Sequence, residues 1–75
     1  MSRTVVFPEL EAAMAYAGDS QKDLAALLGV SIGQMSRRLS GAVEWRDGEI
    51  RQLCSRYGKP YEILFERNEV SAANG

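Results

Sequence analysis

The segment between residues 20 and 41 constrains the fold more than any other part of this 75-residue chain, because two helix signals lie there with only a short turn between them. Ser20 and Asp23 are typical of a helix start, since a serine oxygen accepts a first-turn N–H and an acidic residue suits the positive helix end. Gly29 predicts the end of this helix, because glycine adopts the left-handed backbone conformation without a steric penalty. The leucines predicted to share its inward face are Leu24, Leu27 and Leu28.

A second helix is predicted directly after the turn. Ser31 and Gln34 have the spacing of a capping box, in which each side chain pairs with the backbone N–H of the other residue. Val30, just before the cap, is placed to pack on Met35 as a hydrophobic staple. Met35 and Leu39 are four residues apart and are predicted to point inward together. The outward surface of this helix is predicted to carry Ile32, Gly33, Ser36 and Arg37.

Two short helices joined by a glycine-containing turn form a helix-turn-helix unit, whose second helix is shaped to enter the major groove of DNA. An ordinary corner between two helices of a small helical domain has the same spacing. The pattern therefore favours a nucleic-acid-binding domain, and at this point it leaves a purely structural corner open.

Three further helices are predicted around this unit. The first extends from about Phe7 to Ala17 with Pro8 at its start, where the missing N–H of proline costs nothing. A fourth helix is capped by Arg46 and extends to about Tyr57, and Trp45 before the cap is expected to be buried. A last short helix begins at Tyr61 and ends at residue 65 or 66. The sequence thus predicts an all-α fold, a compact bundle of five short helices.

The chain is interpreted as one domain, because 75 residues suffice for a single small core. The domain is predicted to cover residues 7–66. Residues 1–6 include a short β-branched run, which is interpreted as a flexible lead-in or as a strand that pairs across a dimer. Residues 67–75 are polar and small, and they are predicted to form a flexible tail.

Composition argues against several classes of protein. The sequence has one cysteine, Cys54, and no histidine, so no internal disulfide and no metal site are expected, and Cys54 is predicted to be a core residue. No cofactor, small-molecule ligand or enzymatic activity is expected, because neither a glycine-rich phosphate loop nor a nucleophile with a neighbouring base is visible. No apolar run approaches the roughly 20 residues that span a bilayer, and no signal-peptide pattern is present, so a cytoplasmic location is expected.

The charge balance is unusual for a protein that binds nucleic acid. The formal net charge is −1 and the pI is about 5.3, whereas DNA-binding domains are usually basic. Charge is unevenly distributed, however, because the segment from residue 31 to residue 61 contains six basic and three acidic residues, a local charge of +3. A local basic face can bind DNA, with low non-specific affinity that salt readily abolishes.

Taken in order, these motifs resemble the lambda-repressor-like family, and within it the small phage or prophage Cro-like and xenobiotic-response-element-type (XRE-type) regulators. The resemblance extends over roughly residues 10–65. It implies sequence-specific binding of double-stranded operator DNA, usually as a homodimer on a palindromic site. The stretches that carry it are Gln21-Lys22-Asp23-Leu24-Ala25, Leu28-Gly29-Val30-Ser31, Met35-Ser36-Arg37-Arg38-Leu39-Ser40-Gly41, Trp45, Glu49-Ile50 and Leu64-Phe65.

The resemblance also implies roles for individual residues. Gln21 looks like the glutamine that clamps a phosphate at the start of the second helix, and Ser40 stands where many members contact phosphate. Ile32, Gly33 and Arg37 fall where the family reads base edges. Arg38 is expected on the flank of the recognition helix, in contact with phosphate or solvent, and Arg46 is expected to contact a phosphate. The complete predicted DNA-binding set is Gln21, Ser31, Ile32, Gly33, Gln34, Ser36, Arg37, Arg38, Ser40 and Arg46.

Two residues depart from the family pattern. Ile32 and Gly33 replace polar residues, often glutamine, so an adenine edge cannot be read there in the same way. Arg37 is the strongest base-contact candidate, since its planar fork can bind O6 and N7 of guanine together. The alternative is a protein-interaction module, antitoxin-like or an assembly adaptor, that keeps the fold but binds DNA weakly or not at all. The acidic pI suits this alternative.

A homodimer is expected, because one recognition helix buries too little surface for tight binding. The last helix and the tail are the predicted interface, since they offer more apolar surface than a helix of one or two turns needs. The side chains that provide it are Tyr61, Ile63, Leu64 and Phe65.

Overall fold

A computed structural model describes residues 5–68 of the chain. Five α-helices and no strands form this part of the protein, which confirms the predicted all-α bundle of five short helices. Each helix in residues 5–68 is too short or too polar to span a bilayer. Most of the predicted lead-in and tail, residues 1–4 and 69–75, lies outside the described range. The helices are α1 (Pro8–Ala17), α2 (Gln21–Leu28), α3 (Ile32–Leu39), α4 (Asp47–Tyr57) and α5 (Tyr61–Leu64).

Local hydrogen bonds set the starts of α2 and α3 at the predicted cap residues, and α2 has a reciprocal capping box like the one predicted for α3. Ser20 Oγ accepts a 3.1 Å hydrogen bond from the N–H of Asp23, and the Asp23 carboxylate accepts from the N–H of Ser20 at 2.9 Å. Ser31 and Gln34 form the same reciprocal pair, also at 3.1 and 2.9 Å. Only residues 29–31 separate the two helices, which pack against each other. This is the predicted helix-turn-helix order of elements.

Every helix contributes at least one buried apolar side chain to the core. The predicted inward face of α2 needs correction, because Leu27 is 40% exposed whereas Ala25 is only 2% exposed. Leu24, Ala25 and Leu28 also share one side of a helix, so spacing alone does not fix the rotation of a two-turn helix about its axis. The largest fully buried side chains are Leu10, Leu24, Met35, Leu53 and Leu64.

An aromatic cluster joins the start of α1 to the loop before α4 and to α5. The rings of Phe7, Trp45 and Phe65 meet edge to face, with centroids 5.2 to 6.1 Å apart. Tyr61 stacks on Phe65 at 5.7 Å. Trp45 was expected to be buried and is half-buried, and its Nε1 has no acceptor among residues 5–68. Edge-to-face contacts of this kind add stability beyond the area they bury.

A polar network ties α4 to the turn between α1 and α2. The Asp19 carboxylate accepts two hydrogen bonds from Arg56, both at 2.8 Å, and a third from the Tyr57 hydroxyl at 2.7 Å. These bonds, first from Arg56 and then from Tyr57, lower the pKa of Asp19 to about 2. Burial and then the neighbouring carboxylate raise the pKa of Tyr57 to about 12.

The network predicts acid-sensitive stability. Because the pKa of Asp19 is lower in the folded protein than its ordinary value of 3.8, folding favours the carboxylate. Its contribution to the free energy of unfolding is present above about pH 4 and is lost as the pH falls to about 2. We expect Asp19→Asn to remove this contribution near neutral pH and to flatten the dependence of stability on pH in the acid range. Urea denaturation followed by circular dichroism across the acid range measures both effects.

Glu44→Gln is the control for this prediction, because Glu44 is an exposed loop carboxylate that makes no hydrogen bond within residues 5–68. It should retain the acid dependence of the unchanged protein. If Asp19→Asn also retains that dependence, the network does not stabilise the fold in the way described.

Candidate nucleic-acid interface

The outward face of α3 is the candidate interface. The inward face is anchored by Met35 and Leu39, which are 0% and 3% exposed, and the opposite side of the helix faces solvent. Ile32 is 52% exposed at the first helical position, and the other residues predicted on this surface are exposed as well. The structure thus places all four where the sequence predicts them. We call this surface the α3 ridge, and it consists of Ile32, Gly33, Ser36 and Arg37.

Ser31 and Gln34 are also exposed, but the capping box already uses part of each side chain. Ser31 Oγ accepts from the N–H of Gln34, and Gln34 Oε1 accepts from the N–H of Ser31. The hydroxyl hydrogen of Ser31 and the amide NH₂ of Gln34 remain as donors. These donors suit a phosphate oxygen or an acceptor on a base edge.

Arg37 provides the positive charge of the α3 ridge. Its side chain is exposed, and its guanidinium makes no hydrogen bond or ion pair within residues 5–68. A guanidinium carries five N–H donors in a planar fork and no acceptor, which matches a phosphate or the O6 and N7 atoms of guanine. The ridge therefore presents an unused bidentate donor to solvent.

The prediction that Arg38 lies on the flank of α3, where it contacts phosphate or solvent, needs correction, because the structure buries its side chain. Arg38 is only 4% exposed, and its Nε donates a 2.9 Å hydrogen bond to Oε1 of Glu49, which is 7% exposed. Met35, Arg38 and Leu39 share one side of the helix, three and four residues apart. The rotation that buries Met35 and Leu39 therefore buries Arg38 with them, and its charge is neutralised inside the protein.

Glu49 links α3 to the start of α4, a role that the sequence analysis missed. The same Oε1 atom accepts from Arg38 Nε at 2.9 Å and from the N–H of Arg46 at 3.1 Å. Arg46 cannot complete a reciprocal cap, because its guanidinium has no acceptor. The available signal was the position of Glu49, three residues after the cap residue of a helix. One carboxylate oxygen thus holds the α3 ridge in place relative to α4.

Three other predicted contact residues lie outside the α3 ridge. Gln21 is half-buried at the first position of α2, and Arg46 is exposed at the cap of α4. Ser40 Oγ donates to the C=O of Arg37 at 2.9 Å and accepts from the N–H of Ala42 at 3.4 Å. Ser40 therefore supports the C-terminal end of α3, and it keeps only one lone pair for an external donor.

Residues 5–68 form neither a metal site nor a reactive thiol. No group of three or more Cys, Asp and Glu side chains in this part of the chain is arranged to hold a metal ion. Cys54 is half-buried and packs against the core, as predicted, and burial raises the pKa of its thiol. A raised pKa keeps the thiol protonated and unreactive.

Comparison with known proteins gave one match. A family model of the BetR domain matches residues 9–75 of the chain. No curated protein and no solved structure matches the chain. The match supports the helical regulatory domain inferred from the sequence, and it does not confirm membership in the Cro-like, XRE-type family that the motifs resemble. Because it extends over nearly the whole helical body, the chain belongs to the BetR domain family, a family of regulatory domains rather than of enzymes.

Proposed function

We propose that the protein is a sequence-specific DNA-binding transcriptional regulator that reads operator DNA with α3. The observation that carries this proposal is the α3 ridge, a solvent-exposed helix face that presents the unpaired guanidinium of Arg37 opposite a fully buried face. The second helix of a helix-turn-helix unit fits the major groove, where base edges carry a distinct pattern of donors and acceptors. Membership in a family of regulatory domains supports the same conclusion.

The two kinds of contact divide between the α3 ridge and its surroundings. We assign base contacts to the ridge, where Arg37 binds guanine and Ile32 touches the methyl group of thymine. We assign phosphate contacts to the polar residues around it, since such contacts orient a protein on the duplex without reading sequence. These residues are Gln21, Ser31, Gln34, Ser40 and Arg46.

The resemblance of the motifs to small phage and prophage regulators supports a finer proposal. In it the protein is a Cro-like repressor that acts in the cytoplasm and blocks transcription by occupying its operator. A net charge of −1 suits such a role, because weak non-specific binding leaves the base contacts to select the site.

In vitro selection from a pool of random DNA duplexes tests the proposed function. We expect the protein to enrich a palindromic motif whose half-sites lie about 34 Å apart, one turn of DNA. Binding of the enriched duplex, followed by fluorescence anisotropy, should weaken steeply between roughly 50 and 200 mM salt. If no motif is enriched above the protein-free control even at the lower salt concentration, the proposal is wrong.

A protein-interaction module is the second candidate, and the apolar Ile32 side chain, 52% exposed on the ridge, favours it. Combined substitution of Gln21 and Arg37 by alanine separates the two functions. DNA binding should disappear if the protein is a DNA-binding regulator. Under the alternative, the variant should still capture the protein partner, and the unchanged protein should enrich no duplex.

We also propose that the protein binds DNA as a homodimer through α5. Two of the four predicted interface residues, Leu64 and Phe65, are buried in the core, whereas Tyr61 and Ile63 are 56% and 47% exposed. The exposed pair offers an apolar contact that a second copy can cover.

Ile63→Glu is expected to shift the protein from dimer to monomer, because a charged side chain at the interface would lose its hydration. Sedimentation equilibrium measures the change. Tyr16→Glu is the matched control, because Tyr16 is 97% exposed on α1 and lies outside the proposed interface. If the unchanged protein is a monomer at high concentration, or if both variants behave alike, α5 is not the interface.

A further inference from the structure

Gly33 occupies a position where the fold itself does not require glycine. It is the second residue of α3, its φ is not positive, and a Cβ added there would meet no atom closer than 3.9 Å. Gly41 shows the contrast: its φ is +85°, and a Cβ there would lie 2.7 Å from Nη2 of Arg67. Because glycine favours helix formation less than alanine does, Gly33 weakens α3 without any benefit to packing.

Two of the three atoms nearest to the bare side of Gly33 belong to the guanidinium of Arg37, and the third is Oγ of Ser31, at 3.9 Å. Nη1 and Nη2 of Arg37 lie 3.9 and 4.0 Å from the point that a Cβ of Gly33 would occupy. Side chains on a helix lean toward its N-terminus, so a residue four positions later covers this spot. The guanidinium of Arg37 therefore extends back over Gly33, one turn before its own Cα.

In this position no hydrogen bond or ion pair within residues 5–68 offsets the positive charge of the Arg37 guanidinium. The N-terminal end of a helix carries partial positive charge, which disfavours a cation. Within residues 5–68 no acceptor bonds to the Arg37 side chain. An acceptor supplied from outside the protein, such as the edge of a base, would accept hydrogen bonds from the Arg37 N–H groups, which the fold itself leaves without an acceptor.

We infer that Gly33 is a specificity-determining residue, which leaves a bare strip of helix beside the guanidinium of Arg37 so that the fork can lie flat against a guanine edge. This inference rests on the proposed function and deepens it. A methyl group at position 33 would fit in the free protein, because 3.9 Å is an ordinary van der Waals contact. In the complex it would lie between the helix backbone and the base pair, and it would hold the fork away from O6 and N7.

Gly48 provides a matched control. It is the second residue of α4, as Gly33 is of α3, it is exposed, its φ is not positive, and a Cβ there would meet nothing within 4 Å. Gly33→Ala and Gly48→Ala should therefore have similar, slightly raised thermal stability. Only Gly33 lies beneath a guanidinium, so only its substitution should affect recognition.

The experiment uses the duplex that the unchanged protein selects from the random pool, and a second duplex in which each guanine of the motif is exchanged for adenine. We expect Gly33→Ala to lower affinity for the selected duplex about tenfold, equivalent to about 1.4 kcal/mol. The ratio of the affinity for the selected duplex to the affinity for the guanine-to-adenine duplex should fall as well. Gly48→Ala should bind both within about twofold of the unchanged protein. In a double-mutant cycle, Gly33→Ala should lower the affinity for the selected duplex only slightly further in the Arg37→Ala variant, since the two residues act together.

The possible failures are distinguishable. If the unchanged protein enriches no motif, the proposed function and this inference both fail. If it enriches a motif while Gly33→Ala and Gly48→Ala bind it equally well, the inference fails and the proposed function stands. A loss of affinity that is the same with and without Arg37 also overturns the inference, because the methyl group would then act independently of the guanidinium.

Discussion

Glu49→Ala is expected to lower the free energy of unfolding by about 3 kcal/mol or more, because it leaves the buried charge of Arg38 without a partner. The side chains of Arg38 and Glu49 are only 5% and 9% exposed, so the guanidinium left behind would be poorly solvated, and the C=O of Gln34, 3.4 Å from its Nη1, would be its remaining acceptor. The N–H of Arg46 also loses its acceptor. A domain of this size is stable by roughly 4–11 kcal/mol. The loss should therefore be visible as a large fall in the urea midpoint.

Two further variants show whether the buried pair is the cause. Glu44→Ala makes the same chemical change on an exposed loop and should alter stability by less than about 0.5 kcal/mol. Replacing both partners, Arg38→Met with Glu49→Leu, should cost much less than the sum of the two single changes, because apolar side chains can substitute for a buried ion pair. Equal effects of Glu44→Ala and Glu49→Ala would contradict the structural role of the pair.

Arg37→Lys is expected to abolish most of the base preference while the folded protein keeps its charge and stability. A lysine ammonium cannot bind two acceptors in one plane, so discrimination in favour of guanine should fall by about 1–3 kcal/mol for each half-site. Competition of the selected duplex against its guanine-to-adenine counterpart measures this loss. Binding to random DNA should remain nearly the same, because it depends on charge.

Arg51→Lys is the control for this substitution, since Arg51 is an exposed arginine of α4 and lies outside the α3 ridge. It should keep the base preference of the unchanged protein. If Arg37→Lys retains that preference as well, Arg37 does not read a base, and the assignment of the α3 ridge must be revised.

Much of the fold could be predicted because its signals are local. The caps of α2 and α3 involve Ser20 with Asp23 and Ser31 with Gln34, and partners three residues apart meet as soon as a helix forms. The outward position of Arg37 follows from the same kind of reasoning. The buried leucine and methionine positions of α3 set the rotation of the helix, and this leaves Arg37 outside.

The long-range contacts could not be predicted in this way. Arg38 pairs with Glu49 eleven residues later, and Asp19 bonds to Arg56 across 37 residues. Nothing in the spacing of such residues indicates that they meet, because the contact depends on how separate helices dock. The burial of Arg38 could nevertheless have been predicted from spacing alone. Arg38 lies three residues after Met35 and therefore on the inner side of α3.

The separation of the α3 ridge from the core has a consequence for how such proteins diverge. Ile32 is 52% exposed, and the exposed Ser36 makes no side-chain hydrogen bond within residues 5–68, so neither is required for packing. Exchanges at exposed positions of this kind usually alter stability by less than about 0.5 kcal/mol. Under the proposed function, related chains can therefore acquire new target sequences one residue at a time, without repacking their interiors.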